Sequence, residues 1–220
     1  DASGASLLTS SSTISLKAGE TTKGTTSVGV LAEAINTQSS GAGTLNATAG
    51  SGGIFIDEAD AAIIGTVTTT GAGDIKIQNV ADGTLSSTGI VSSTGAGNIE
   101  IDSLGALSLG NDVSTAGGTV TLTADTNSNG LAAEKFEQTA GTISSGGGVV
   151  AITVATAAGT GVGGAELRAI NSWAGTLTVT SHRGSILEDA SGASLLTSSS
   201  TISLKAGETT RGTTFVGTLT

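Results

Sequence analysis

The sequence predicts an all-β chain wound as a parallel β-helix, or β-solenoid, with about three short strands per coil and about 27 residues per coil. Three observations carry that prediction. A Gly-rich step recurs along the chain, and each instance opens a run in which every second residue is apolar. Equivalent runs are 22–30 residues apart. The chain also restarts itself: residues 189–220 repeat residues 1–32 at an offset of 188, with 28 of 32 positions identical. The four differences are Lys23 to Arg211, Ser27 to Phe215, Val30 to Thr218 and Ala32 to Thr220. Repeats of this length signal stacked supersecondary units rather than an ordinary globule.

Taken in order, the steps are GAGTLNAT from Gly41, GAGDIKIQ from Gly71, GAGNIEID from Gly95, GGTVTLT from Gly117, GGGVVAIT from Gly146 and AGTLTVT from Ala174. SSTISLK, from Ser11 and again from Ser199, fills the same slot without the glycines. The predicted coils are 13–40, 41–70, 71–94, 95–116, 117–145, 146–173 and 174–200, so seven coils complete one 188-residue repeat (1–188) and 189–220 begins the next. Aligning the first strands gives Ile14 and Leu16, Leu45 and Ala47, Ile75 and Ile77, Ile99 and Ile101. The alignment continues with Val120 and Leu122, Val150 and Ile152, Leu177 and Val179, Ile202 and Leu204. The intervening positions are mostly polar, such as Lys76, Glu100, Thr121 and Thr178. A period of two with one apolar side is the pattern of a half-buried strand.

A second strand starts at a glycine in most coils: GGIFIDE (52–58), GTLSST (83–88), GALSLG (105–110), GAELRAI (164–170) and GSILED (184–189). A third ends each coil, where an apolar residue precedes small hydroxyl or amide residues, as in Val67-Thr-Thr, Val91-Ser-Ser and Ile143-Ser-Ser. At a strand spacing of about 4.8 Å, seven coils advance roughly 34 Å. One coil alone buries too little apolar surface to offset the ordering of its backbone, so the coils must stack to fold. The chain has no proline, which suits strands that donate to neighbours on both sides. The longest corners are expected at 124–135 and 156–165. The uncharged stretch 146–165 is read as a strand and loop, not a membrane span, because seven of its twenty residues are Gly.

Composition narrows the function classes. With 35 Gly, no Cys, Met or Tyr, three Phe and one Trp, the core must be thin and aliphatic. A net charge of −10 disfavours nucleic acid, whose phosphates call for Lys and Arg. Disulfides and thiolate metal sites are excluded by the missing Cys. A window that opens mid-repeat is not expected to show a secretion signal.

The chain offers little chemistry, and no catalytic or cofactor-binding residue is assigned. His182 lies in TSHRGS and is expected at an exposed corner. Asp57, Glu58 and Asp60, and the pair Glu188 and Asp189, are the carboxylates a glycosidase could use, but at corners they are expected to be solvated. Asp125-Thr-Asn-Ser-Asn-Gly130 matches the first half of a calcium loop, making Asp125, Asn127 and Asn129 the calcium candidates. Phe136 stands where an EF-hand places its bidentate Glu, with Glu134 and Glu137 out of place, and an Asn/Asp/Gly turn accounts for the stretch as well. The GxG steps precede strands rather than helix N-termini, so they are corners and not phosphate cradles. Outward Thr119, Thr121, Thr123 and Thr176, Thr178, Thr180 suggest an ice-binding ladder, which Lys76, Glu100 and Asp102 interrupt. Asn46-Ala-Thr48 is an isolated glycosylation sequon.

The Gly-x-apolar-x-apolar steps, with segments such as GSILEDASGASLLTSSSTISLKAG, resemble large bacterial exoproteins of the filamentous haemagglutinin type, giant tandem-repeat adhesins and autotransporter passengers. The resemblance spans the whole chain and involves no catalytic motif. It implies a right-handed parallel β-helix, in keeping with the right-handed preference of parallel crossovers. It further implies export from a Gram-negative-like cell and display at the cell surface as an adhesive or structural fibre. The expected partners are neighbouring repeats, end to end and along fibre sides, and cell-surface or matrix glycans. A lyase-like β-helix enzyme and a glycan-binding module are the alternatives. On this reading residues 1–32 and 189–220 are the same place on one continuous helix, met again after seven turns.

Overall fold

A computed structural model describes residues 7–19, 24–39, 43–129, 134–156, 163–189 and 195–207. Every regular element among them is a β-strand, every strand–strand ladder is parallel, and the chain is an all-β solenoid of about seven coils. Face one stacks Ile35–Gln38, Gly53–Glu58, Ile75–Asn79, Ile99–Asp102, Val120–Ala124, Val150–Val154, Leu177–Ser181 and Ile202–Ala206. Face two stacks Leu85–Ser87, Leu107–Leu109, Phe136–Gln138, Ala165–Leu167 and Ile186–Glu188. Face three stacks Val91–Ser93, Val113–Thr115, Thr142–Ser144, Ala169–Asn171 and Leu195–Thr197.

Register follows the apolar alternation. Ile75, Ile99, Val120, Val150, Leu177 and Ile202 pair in one column, and Ile77, Ile101, Leu122, Ile152, Val179 and Leu204 in the next. Outside the last coil these residues are buried, while the intervening Lys76, Glu100, Thr121 and Thr178 face outward. A one-residue slip would turn each apolar set to solvent, so the pattern fixes the register. The largest fully buried side chain is Phe136 on face two, stacked between Leu107 and Ala165.

The corner from face three back to face one explains why coils end in Ser or Thr and restart with Gly. Thr69, Ser93, Thr115, Ser145 and Ser172 point inward there, all at most 4% exposed. Their hydroxyls donate to glycine carbonyls: Thr69 and Ser93 to Gly73 (2.8 and 3.0 Å), Thr115 to Gly97 (2.6 Å), Ser145 to Gly148 (2.5 Å) and Ser172 to Gly175 (2.7 Å). The buried hydroxyl is satisfied either by the glycine that opens the next coil, as at Thr69, Ser145 and Ser172, or by the one that opened its own, as at Ser93 and Thr115. Glycine is required beside it, because a Cβ on Gly97, Gly118 or Gly175 would penetrate the carbonyl of the glycine one coil below.

The opening coils depart from the expected alignment. Ile14 and Leu16 pair with Leu45 and Ala47, but these continue into Ile64 and Val67, on the side of faces two and three. The face-one column at Ile75 and Ile77 is instead entered by Ile54 and Ile56, from the strand that the sequence placed second in its coil. The difference is visible at the corner between faces two and three. Asn46 alone separates the two paired segments in one coil, Gly65 and Thr66 in the next, and Thr88, Gly89 and Ile90 in the third. Thr44–Ala49 and Ala62–Thr69 each run as one long strand where later coils have two, yet Arg168 alone suffices to separate Ala165–Leu167 from Ala169–Asn171, so corner length by itself does not decide the matter.

The duplicated segment is also placed differently from expectation. In the first copy Leu8–Thr9 lies on face one and Thr13–Lys17 beside Thr44–Ala49. In the second, Leu195–Thr197 lies on face three and Ile202–Ala206 on face one. The same sequence therefore turns two different corners. Two short alternating runs joined by serines fit either corner, and the neighbouring coil decides which. Of the two long corners, residues 125–135 form one as far as they are described, whereas most of 156–165 lies outside the described residues.

Candidate functional site

The corner leaving face one carries most of the polar chemistry. Strand alternation places Glu58 inward behind Ile54 and Ile56, so this carboxylate is fully buried and not solvated as the sequence suggested. It accepts hydrogen bonds from Thr37 Oγ1 (2.7 Å) and the Ser39 N–H (2.8 Å) of the preceding coil. Asp57 and Asp60 remain partly exposed. One coil on, Glu58 is followed by Asn79, whose Nδ2 donates to the Gly83 carbonyl (2.8 Å) and whose Oδ1 accepts from the Leu104 N–H (2.6 Å). These are structural bonds that seal a corner, and they leave Glu58 no access to a substrate.

Above them the chain swings out into the long corner that holds the calcium candidates. Asp125 adopts φ 53°, and its N–H donates to the Gly105 carbonyl at 2.7 Å. Its side chain is fully buried, and neither carboxylate oxygen has a hydrogen-bond partner. Glu134 is 7% exposed, with its Oε2 buried and likewise unpartnered. Asp82 comes from two coils earlier and approaches from the exposed side. The Asn129 amide nitrogen bridges them, donating to Asp82 Oδ2 (2.8 Å) and, longer, to Glu134 Oε1 (3.4 Å). Burial and the neighbouring Asp82 push the Glu134 carboxyl up to about 7, and burial raises Asp125.

Of the three calcium candidates, the structure thus brings Asp125 and Asn129 to one cluster and leaves Asn127 outside it. Asn127 is exposed, and its Oδ1 accepts from the Asn129 N–H (3.2 Å) in a local turn. Sequence reasoning missed Asp82, 43 residues before Asp125; no spacing rule points to it, because the pairing depends on the loop folding back over one intervening coil. As they stand, no three His or acidic side chains among the described residues are gathered closely enough to hold a metal ion.

Elsewhere the outer face carries ion pairs between coils. Lys76 Nζ contacts Glu100 Oε1 at 2.8 Å, and burial followed by the adjacent Glu100 raises Asp102 to about 6. Lys135 pairs with Glu166 (2.7 Å), and Arg168 with Asp189 (3.1 Å), beside an exposed Glu188. His182 is half-buried at the corner after Leu177–Ser181 rather than fully exposed. An open groove of about 750 Å³ runs past Trp173, Leu196 and Ile202. Leu196 and Ile202 belong to inward columns, so this groove is core that the last described coil leaves open. No helix of the described residues is long and apolar enough to cross a membrane. Compared with protein-family models, curated proteins and solved structures, the chain matches none.

Proposed function

We propose that this chain is a structural or adhesive segment of a long extracellular fibre made of tandem β-solenoid repeats, of the filamentous haemagglutinin type and displayed by a Gram-negative-like bacterium. The observation that carries the reading is axial repetition: each coil offers the next the same apolar columns, hydroxyl corner and glycine step. A sequence that also repeats over 188 residues supplies further coils of the same kind, although its two copies take different faces of the stack here. The outward Thr, Ser, Asn and acidic side chains suit a surface that meets water, neighbouring fibres or glycans. A coil is held only through its neighbours, so strand edges at the end of a stack are adhesive toward another stack.

Electron microscopy of the native protein is the direct test. Unbranched rods a few nanometres wide are expected, and compact globules of fixed size would overturn the reading.

A further inference from the structure

We propose that Asp82, Asp125 and Glu134, with the Asn129 carboxamide, form a binding site for a single calcium ion that clips the long corner onto the coil two turns away. The argument begins with what is left unsatisfied. Asp125 is fully buried, and both of its carboxylate oxygens lack a hydrogen-bond partner. Glu134 adds a buried, unpartnered Oε2. A buried carboxylate is ordinarily paired, hydrogen-bonded or bound to a metal. Besides burial, the groups acting on Asp125 are Glu134, Asp82 and the Ser128 and Asn129 backbones, and those acting on Glu134 are Asp82, Asn129 and Asp125, so no basic side chain is among them. Lys135, next in sequence, turns away to Glu137 and Glu166.

The Asn129 amide already occupies the position between two of the acids, contacting Asp82 Oδ2 and Glu134 Oε1. It supplies a partial positive charge where a full one is missing. Turning that amide over would present its oxygen as a further ligand. Three carboxylates without a counter-ion repel one another, and a bound cation would draw them together. Asp82 and Asn129 are exposed, which leaves an entry path from solvent toward the two buried acids.

The donor set selects the metal. All ligands are oxygen, which excludes the nitrogen and sulfur preference of zinc. Four side chains on a long corner and a neighbouring turn suit the flexible coordination of calcium, completed by water, better than the strict octahedron of magnesium.

Calorimetric titration of the chelator-treated 220-residue chain with calcium chloride tests the site, with thermal melts alongside. One equivalent should bind and raise the melting temperature. Asp125→Asn and Asp82→Asn should each weaken the dissociation constant at least tenfold, whereas Asn127→Ala should leave it unchanged. Asp82 is exposed, so its variant is expected to fold and keeps the test decisive if the Asp125 variant does not. Absence of heat and of a thermal shift at millimolar calcium would overturn the proposal. So would affinity lost in Asn127→Ala but kept in Asp82→Asn, which would mean a linear loop site, or equal affinity for magnesium.

Discussion

The Thr115 hydroxyl donates to the Gly97 carbonyl oxygen at 2.6 Å and to Gly95 at 2.9 Å, joining the end of a coil to its beginning. The contact explains two features of the sequence together. The residue closing a coil is a buried Ser or Thr because only a short hydroxyl reaches the corner carbonyls from inside. The residue opening the next coil is Gly because those carbonyls leave no room for a Cβ. Apolar columns hold the faces; hydroxyl and glycine define where a face ends.

Thr115→Val keeps the shape and removes the donor, leaving the Gly97 and Gly95 carbonyls short of one partner. A loss of about 1–2 kcal/mol is expected in urea unfolding. Thr115→Ser, which keeps the bond, should lie within about 0.5 kcal/mol of the parent. Equal stability of the Val and Ser variants would show that the bond contributes nothing.

The glycine beside it makes a sharper prediction. A Cβ at Gly118 would meet the Gly97 carbonyl, whereas a Cβ at Gly24 meets nothing within 4 Å. Gly118→Ala should therefore cost about 2–3 kcal/mol, and Gly24→Ala less than about 0.5 kcal/mol. Similar thermal melts for the two variants would contradict the close coil-to-coil approach.

Ile75, Ile99 and Val120 could be aligned from sequence because each follows a GxG or GG step and begins a strict alternation. Ile14 and Leu45 obey the same alternation, yet they stack with Ile64, away from the Ile75 column. Alternation states which side of a strand is buried and is silent on which face the strand joins. That choice is made at the corners, by residues such as Asn46 or Gly65-Thr66 that carry no periodic signal, and length alone does not set it, since Arg168 by itself separates two strands. Glu58 was open to a better reading, since it alternates with Ile54 and Ile56 and so points inward. Asp82 was not, because its place beside Asn129 exists only once the coils are stacked.

Asp102 gives the outer face a pH dependence. Its carboxyl is raised from 3.8 to about 6, first by burial and then by Glu100 beside it, while Glu100 itself ends lower through its bonds to Lys76 and Asp102. A raised acid binds more protons folded than unfolded, so stability falls as pH climbs from about 4 through 6 and levels off above. Asp102→Asn should flatten this part of the profile and raise the melting temperature at pH 8 relative to the parent. An unchanged difference between pH 4 and pH 8 would show that Asp102 titrates normally.

Phe136 and Ala165 are vertical neighbours on face two, one the largest fully buried side chain and the other among the smallest. Their sum, rather than either alone, fills the interior at that level, since the backbones are held at ladder spacing. Phe136→Ala should cost about 3–5 kcal/mol by leaving a cavity. Ala165→Phe should cost at least about 1–3 kcal/mol by overfilling. If volume is shared along the column, the double exchange Phe136→Ala with Ala165→Phe should be more stable than the two losses added together, by more than about 1 kcal/mol. Simple additivity in urea unfolding would mean that each coil is packed on its own, and that the stack is coupled through backbone ladders alone.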